Sequence, residues 1–155
     1  MLNQTVIMHN KKLLLIMSLI MLATVCIGVV SAVDDTLELD GVKFHIPSGY
    51  DEITSYATDD EVEEYSTFSI TSSHRTYMNG NDYLGITVSE YSDHPNLESL
   101  KLDDDVSKEI GGVKGLYAFD QLHFFTYADG DKIIQIAVDD MSIIEDVMDT
   151  ENIAK

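Results

Sequence analysis

The fold of this chain is decided by the segment Leu122–Val138, LHFFTYADGDKIIQIAV, in which two apolar runs flank a short polar one. Aromatic and β-branched residues, which are typical of strands, fill both Leu122–Tyr127 and Lys132–Val138. The residues between them contain Asp129-Gly130, and Asp-Gly favours a tight turn because these residues tolerate positive φ. The segment therefore predicts an antiparallel β-hairpin.

The same pattern recurs elsewhere in the chain, and each recurrence predicts a further hairpin. Its turns are Asp40-Gly41, Asn79-Gly80-Asn81-Asp82 and Gly111-Gly112. The flanking runs are Thr36–Leu39 with Val42–Ile46, Thr67–Met78 with Tyr83–Glu90, and Val106–Ile110 with Val113–Phe119.

Two segments predict helices. Pro95 opens a short one, in which Leu97 and Leu100 have helical spacing. The other is Met141–Glu151, where apolar residues share one face and Ser142-x-x-Glu145 has the spacing of a capping box.

One stretch lacks a strand or helix pattern. Asp51–Glu64 holds seven acidic residues and only scattered apolar ones, which predicts an exposed loop with a short helical turn. Many antiparallel strands with two helices indicate the α+β class, an antiparallel β-sheet with covering helices. No linker or repeat divides residues 34–155, so we expect them to form one domain.

Four short segments resemble parts of small exported proteins of methanogenic archaea. They are Asp40–Tyr50, Ile110–Tyr117, Tyr127–Lys132 and Ile144–Val147. The resemblance covers most of residues 36–148, and the order of elements is similar to the Mog1/PsbP-like sandwich. It implies an antiparallel sheet covered by helices, and it implies no catalytic residues, because similarity of fold does not supply function.

The N-terminus has the pattern of a segment that directs a chain to a membrane. Lys11-Lys12 precede the apolar run Leu13–Val30, and Ser31-Ala32 follow it. The run is long enough to span a bilayer, which favours a retained anchor, whereas Ser31-Ala32 favours cleavage. Residues 1–33 are therefore a signal peptide or a transmembrane anchor. The acids Asp34-Asp35 at the far end predict that the following domain is extracytoplasmic.

The domain after residue 33 is strongly acidic. It holds all 28 acidic residues against seven Lys and Arg, nine in the whole chain less Lys11 and Lys12, which gives a formal charge of −21. Such a charge repels phosphate backbones, so nucleic acid is excluded as a partner, while cations and basic envelope polymers are compatible. The one cysteine, Cys26, precedes the domain, so cysteine chemistry and a disulfide within the domain are excluded.

No motif in the sequence specifies a catalytic, cofactor or metal site. The weak candidates for a calcium site are the acids Asp103, Asp104, Asp105, Asp129 and Asp131. They supply the oxygen ligands that Ca²⁺ prefers, but their spacing departs from an EF-hand and turn formation accounts for the last two. The sequence therefore predicts no cofactor and no catalytic residue.

The function predicted from these features is a binding or envelope-associated module, held at the membrane by the N-terminal segment or released from it. The alternative is a hydrolase of cell-wall polymer that uses two carboxyl groups as acid and base. Buried carboxylates paired in a cleft would favour the enzyme, whereas acids spread over the surface would favour the module.

Overall fold

The computed structural model describes residues 36–149 together with the two-residue strand Val30–Ser31. Apart from that strand, the predicted signal peptide or anchor (residues 1–33) lies outside the described residues, as do residues 150–155. Within the described residues, no helix has the length and apolar character needed to cross a membrane.

Strands make up most of the described residues. They are β1 (Val30–Ser31), β2 (Thr36–Leu39), β3 (Val42–His45), β4 (Asp51–Ile53), β5 (Thr58–Glu64), β6 (Ser69–Asn79), β7 (Asp82–Tyr91), β8 (Val106–Ile110), β9 (Val113–Asp120), β10 (Leu122–Asp129) and β11 (Lys132–Val138).

Among the described residues, nine strands form one antiparallel sheet, and β2 with β3 forms a separate hairpin. The order in the large sheet is β1-β4-β6-β7-β11-β10-β9-β8, with β5 paired to β6 beside β4. The four predicted hairpins are confirmed as β2–β3, β6–β7, β8–β9 and β10–β11. β8 therefore borders one end of the sheet, while β5 and the β1–β4 pair border the other.

The predicted α+β class with covering helices, and with it the Mog1/PsbP-like sandwich, is wrong. The helical structure of the described residues is one four-residue helix, α1 (Ile144–Val147), and three 3-10 turns. These turns are Thr54–Tyr56, Leu97–Leu100 and Met141–Ile143. A large sheet covered by a β-hairpin gives the molecule a sandwich that is essentially all β.

The predicted helix Met141–Glu151 ends early for a physical reason. Ile144 and Val147 are buried, and the next residue, Met148, leaves the helix in an extended conformation and bridges to Phe44 of β3. Pairing with the hairpin buries Met148 without a further helical turn. The predicted capping box is also absent, because Asp140 caps the segment and its Oδ1 accepts a hydrogen bond from the Ser142 N–H at 2.9 Å.

The acidic segment Asp51–Glu64, predicted as a loop, instead forms β4 and β5 around a 3-10 turn. The predicted exposure is confirmed for Asp59–Glu64, whose residues are all exposed, but Asp51–Ile53 and residues 56–58 are half-buried. A strand at the edge of a sheet can pair its backbone on one side while burying no side chain, so a hydrophobic pattern is not needed. An edge strand of this kind therefore cannot be predicted from the hydrophobic pattern of the sequence.

The main core lies between the large sheet and the β2–β3 hairpin, on what we call the inner face of the sheet. From the hairpin it receives Leu39, Val42, Phe44 and Ile46, and from the last turn Ile144, Val147 and Met148. The sheet contributes Tyr77, Leu84, Ile86, Val88, Phe125, Tyr127, Ile134, Ile136 and Val138. A smaller core on the opposite, outer face joins Phe68, Ile70, Tyr91, Leu100 and Ile133.

Candidate interaction surface at the β8 edge

The acids singled out from the sequence lie in two turns. Asp103, Asp104 and Asp105 form the loop before β8, where Asp105 Oδ2 accepts a hydrogen bond from the Leu102 N–H at 2.7 Å. Asp129 and Asp131 belong to the turn between β10 and β11. Across the part of the chain that the structure describes, no three His, Cys, Asp or Glu side chains are grouped so as to hold a metal ion.

An exposed aromatic surface lies at the other end of the sheet from β5. We call it the β8 patch, and it consists of Val106, Lys108, Tyr117, Phe119, His123 and Met141. Its apolar members are unusually accessible for their size: Phe119 is 63% exposed, Val106 54% and Met141 37%. These are three of the four large hydrophobic side chains exposed in the described residues, the fourth being Val62 of β5.

Strand register explains how these residues come together. Val106 pairs with Tyr117, Tyr117 with Phe125, and Phe119 with His123, so all of them project on the inner face. The same row leads directly into the core through Phe125, which is fully buried. The β8 patch is thus the exposed margin of the inner face, continuous with the core through Phe125.

Gly115 of β9 allows the Phe125 ring to pack closely against the β9 backbone next to the β8 patch. A Cβ added there would lie 2.6 Å from the Phe125 ring and 2.6 Å from the Thr126 carbonyl oxygen. The backbone of β9 therefore packs directly against the Phe125 ring, and a larger residue would push the two strands apart.

Contacts between the side chains hold the β8 patch in one arrangement. The Tyr117 hydroxyl and His123 Nδ1 are joined by a 2.7 Å hydrogen bond, and the Phe119 and His123 rings are 4.7 Å apart. Lys108 Nζ lies 4.3 Å from the centre of the Tyr117 ring, a cation–π contact, and also contacts Met141 Sδ. The aromatic groups are thus held in place before any partner arrives.

One exposed carboxylate, Asp140, adjoins the β8 patch. Asp140 precedes Met141, whereas Glu109 and Asp120 lie on β8 and β9 but alternate to the outer face. Hydrogen bonds from the Ser142 backbone N–H and hydroxyl lower the pKa of Asp140, and the nearby His123 acts in the same direction. The surface therefore combines an apolar centre with one ionised carboxylate beside it.

A second polar cluster, on the outer face, has no comparable opening. His74 Nδ1 and Nε2 are hydrogen-bonded to the Thr87 and Thr76 hydroxyls, both at 2.8 Å. Burial lowers the pKa of His74 to about 4, assisted by the adjacent Arg75, so the imidazole is neutral near pH 7. Both ring nitrogens are occupied by hydroxyl groups, so neither is bonded to a carboxylate that would make His74 a strong base. This cluster is a structural hydrogen-bond network.

The carboxylates of the described residues are all accessible to solvent. The buried polar side chains there are Ser73, Thr76 and Thr126, and none of the described Asp or Glu residues is buried. Burial is the usual means by which an enzyme raises the pKa of a carboxyl group that acts as an acid.

The sequence pattern did not identify Val106, Phe119 and His123 as surface groups. Alternation along β9 and β10 does place these residues on one face together with Phe125. What alternation cannot supply is which residues of this face are covered, because that depends on contacts distant in the chain. Comparison with known proteins found no matching family model, no similar curated protein and no similar solved structure.

Proposed function

We propose that this chain is an extracytoplasmic binding module, tethered or exported by its N-terminal segment, and that it binds its partner through the β8 patch. The observation that carries the proposal is the 63% exposure of Phe119, fixed by contacts within a cluster of aromatic residues. Burying an exposed phenylalanine gains apolar area, and the contact with the His123 ring at 4.7 Å reduces the entropic cost of ordering its side chain.

The composition of the β8 patch supports this role. Residues that contribute most to binding are enriched in aromatic side chains, and they usually lie at the centre of a surface with a polar rim. Phe119 and Tyr117 supply the aromatic centre, Asp140 lies beside it, and Glu109 and Asp120 lie on the outer face of the same strands. A partner with apolar and positively charged groups would satisfy both parts.

The accessibility of the acids favours a binding module over the alternative, a carboxylate hydrolase of cell-wall polymer. A glycosidase needs one carboxyl group kept protonated by its surroundings beside a second that is ionised. The described Asp and Glu side chains are all accessible to water, and the pKa of Asp140 is lowered, not raised. Acids on the surface are consistent with solubility and with attraction of cationic partners.

The N-terminal segment supports an extracytoplasmic location for the domain. Lys11-Lys12 before the apolar run and Asp34-Asp35 after it favour a cytoplasmic N-terminus and an external domain. The formal charge of −21 after residue 33 makes cations and basic envelope components the compatible partners, and makes nucleic acid an unfavourable one.

Photo-crosslinking in the producing cells tests the proposal. The full chain would carry p-benzoylphenylalanine in place of Phe119 or, as a control, in place of Val62, which is also exposed but lies on β5. We expect a discrete adduct from position 119 and none from position 62. Equal labelling from both positions, or no adduct from position 119, would contradict a binding role for the β8 patch.

A further inference from the structure

We propose that the partner of the β8 patch is an extended, positively charged peptide segment that pairs with β8 as an additional antiparallel strand. This inference rests on the proposed binding function and specifies how the partner is held. Among the described residues, β8 pairs only with β9, so its other edge carries unpaired backbone groups.

The β8–β9 turn fixes which backbone groups face outward. Gly111 and Gly112 both have positive φ and form a two-residue turn closed by Ile110 and Val113. Such a turn makes the closing residues a hydrogen-bonded pair, and hydrogen-bonded pairs then recur at every second position. The backbone N–H and C=O groups of Ser107 and Glu109 therefore point away from β9.

The side chains next to this edge specify the chemistry of the partner strand. Residues facing each other in an antiparallel pair project on the same face. A residue facing Val106 would lie on the inner face and extend the apolar centre of the β8 patch. A residue facing Glu109 would lie on the outer face, where an opposite charge is favourable. The structure thus favours a strand with an apolar residue facing Val106 and a Lys or Arg facing Glu109. The position facing Ser107 lies beside Lys101, whose Nζ donates to the Ser107 hydroxyl at 3.3 Å.

Charge argues against a second copy of this chain as the occupant. Each domain carries a formal charge of −21 after residue 33, so two copies repel each other at close range. The same charge attracts a cationic segment and accelerates its encounter with the edge.

A peptide-binding experiment on the full chain in detergent micelles tests the inference. The probe is a fluorescein-labelled peptide of alternating Lys and Val, six residues long and amidated at its C-terminus, and the readout is fluorescence anisotropy at low ionic strength. We expect saturable binding that Ser107→Pro weakens by about tenfold or more, because proline removes the outward N–H and blocks the added strand.

The matched control is Val62→Pro on β5. The hydrogen bond from the Tyr65 N–H to the Phe68 carbonyl sets the pairing there and leaves the Val62 N–H outward as well. We expect this variant to bind the peptide within about twofold of the parent chain. A Glu-Val peptide, and a Lys-Val peptide with proline at its third position, should bind at least about tenfold more weakly than the probe.

Amide exchange of the unmodified chain provides a measurement that does not depend on the folding of a variant. Added peptide should slow exchange at Ser107 and Glu109, while the Lys108 amide, already bonded to β9, should change little.

The inference is overturned if Ser107→Pro and Val62→Pro weaken binding equally, if the Glu-Val peptide binds as well as the probe, or if no saturable binding occurs. It is also overturned if the chain forms a dimer that Ser107→Pro dissociates, since a second copy would then occupy the edge. Loss of binding in Phe119→Ser together with full binding in Ser107→Pro would reject strand addition and leave the proposed function in place. Absence of an adduct at position 119 in the crosslinking experiment would reject the proposed function itself.

Discussion

The two edges of the large sheet each expose one valine to almost the same degree, yet they differ in every neighbour. Val62 on β5 is 55% exposed and Val106 on β8 is 54% exposed, and both project on the inner face. Val62 lies between Glu61 and Glu63, whereas Val106 faces Tyr117. Exposure of a single apolar residue is ordinary, and only the second valine belongs to a continuous aromatic surface.

The difference reflects how each edge is protected from other chains. Five of the seven residues of β5 are acidic, and charged side chains on an edge strand discourage pairing with another strand. β8 has a single acid, Glu109, while the charge of Lys108 is directed inward over Tyr117. The acids of β5 oppose pairing with neutral or acidic chains, whereas β8 lacks such shielding and is the edge strand beside the aromatic side chains of the β8 patch.

The largest expected effect on stability comes from a substitution in the β2–β3 hairpin, which covers the inner face of the sheet. Phe44 of β3 is fully buried between the sheet and the last turn. Phe44→Ala should lower the free energy of unfolding by about 3–5 kcal/mol, because it leaves a cavity beneath the covering hairpin. Urea denaturation measures this loss. A loss below about 1 kcal/mol would show that the hairpin does not define the core, and the contrast between the edges would lose its basis.

The second-largest expected effect is a loss of stability at acidic pH, which arises on the β5 side of the sheet. His74 of β6 faces Thr58 of β5 in the register, and its pKa is lowered to about 4 from 6.5 by burial. Between these pH values the unfolded chain binds a proton at His74 that the folded chain does not. As far as His74 is concerned, the free energy of unfolding is therefore at its full value above pH 6.5 and decreases as pH falls towards 4. The loss should be about 2–3 kcal/mol.

Thermal denaturation of the parent chain and of His74→Gln at pH 7.5 and pH 4.5 isolates the contribution of His74 to the pH dependence of stability. The variant lacks the titrating ring, so it should lose less stability on acidification than the parent. Equal losses in the two proteins would mean that surface carboxylates account for the whole pH dependence.

Arg75 should matter at one edge only, with a somewhat smaller effect. Its Nη1 donates to the Thr58 carbonyl oxygen at 2.8 Å, its Nη2 pairs with Asp59, and its Nε lies 3.6 Å from Glu52. Arg75→Met keeps most of the volume and removes these bonds, and we expect a loss of about 2 kcal/mol. Amide exchange should accelerate in β5 and stay unchanged in β8. Faster exchange in both strands would mean that the two edges are not independent.

The sequence predicted most of the pairing in this fold but not its edges. Dipeptides such as Asp40-Gly41 and Gly111-Gly112 identify hairpins because they specify the turn and hence the register. β5 escaped prediction because an edge strand needs no buried side chain, and the last helix was predicted too long because Met148 pairs with Phe44. The β8 patch could not be foreseen, since alternation puts Phe119 on the same face as buried Phe125, and which of the two is covered depends on contacts distant in the chain.

The smallest expected effect on stability makes the sharpest test of the two edges. Val62→Ser and Val106→Ser each replace a half-exposed side chain, so each should change the free energy of unfolding by less than about 0.5 kcal/mol. Binding of the Lys-Val peptide should nevertheless separate them, because the residue facing Val106 would lose its apolar contact while Val62 is far from the added strand. We expect Val106→Ser to weaken binding by about threefold to tenfold and Val62→Ser to leave it unchanged. If the two variants bind the peptide equally well, the aromatic neighbours of Val106 do not contribute to binding, and the β8 patch has no special role.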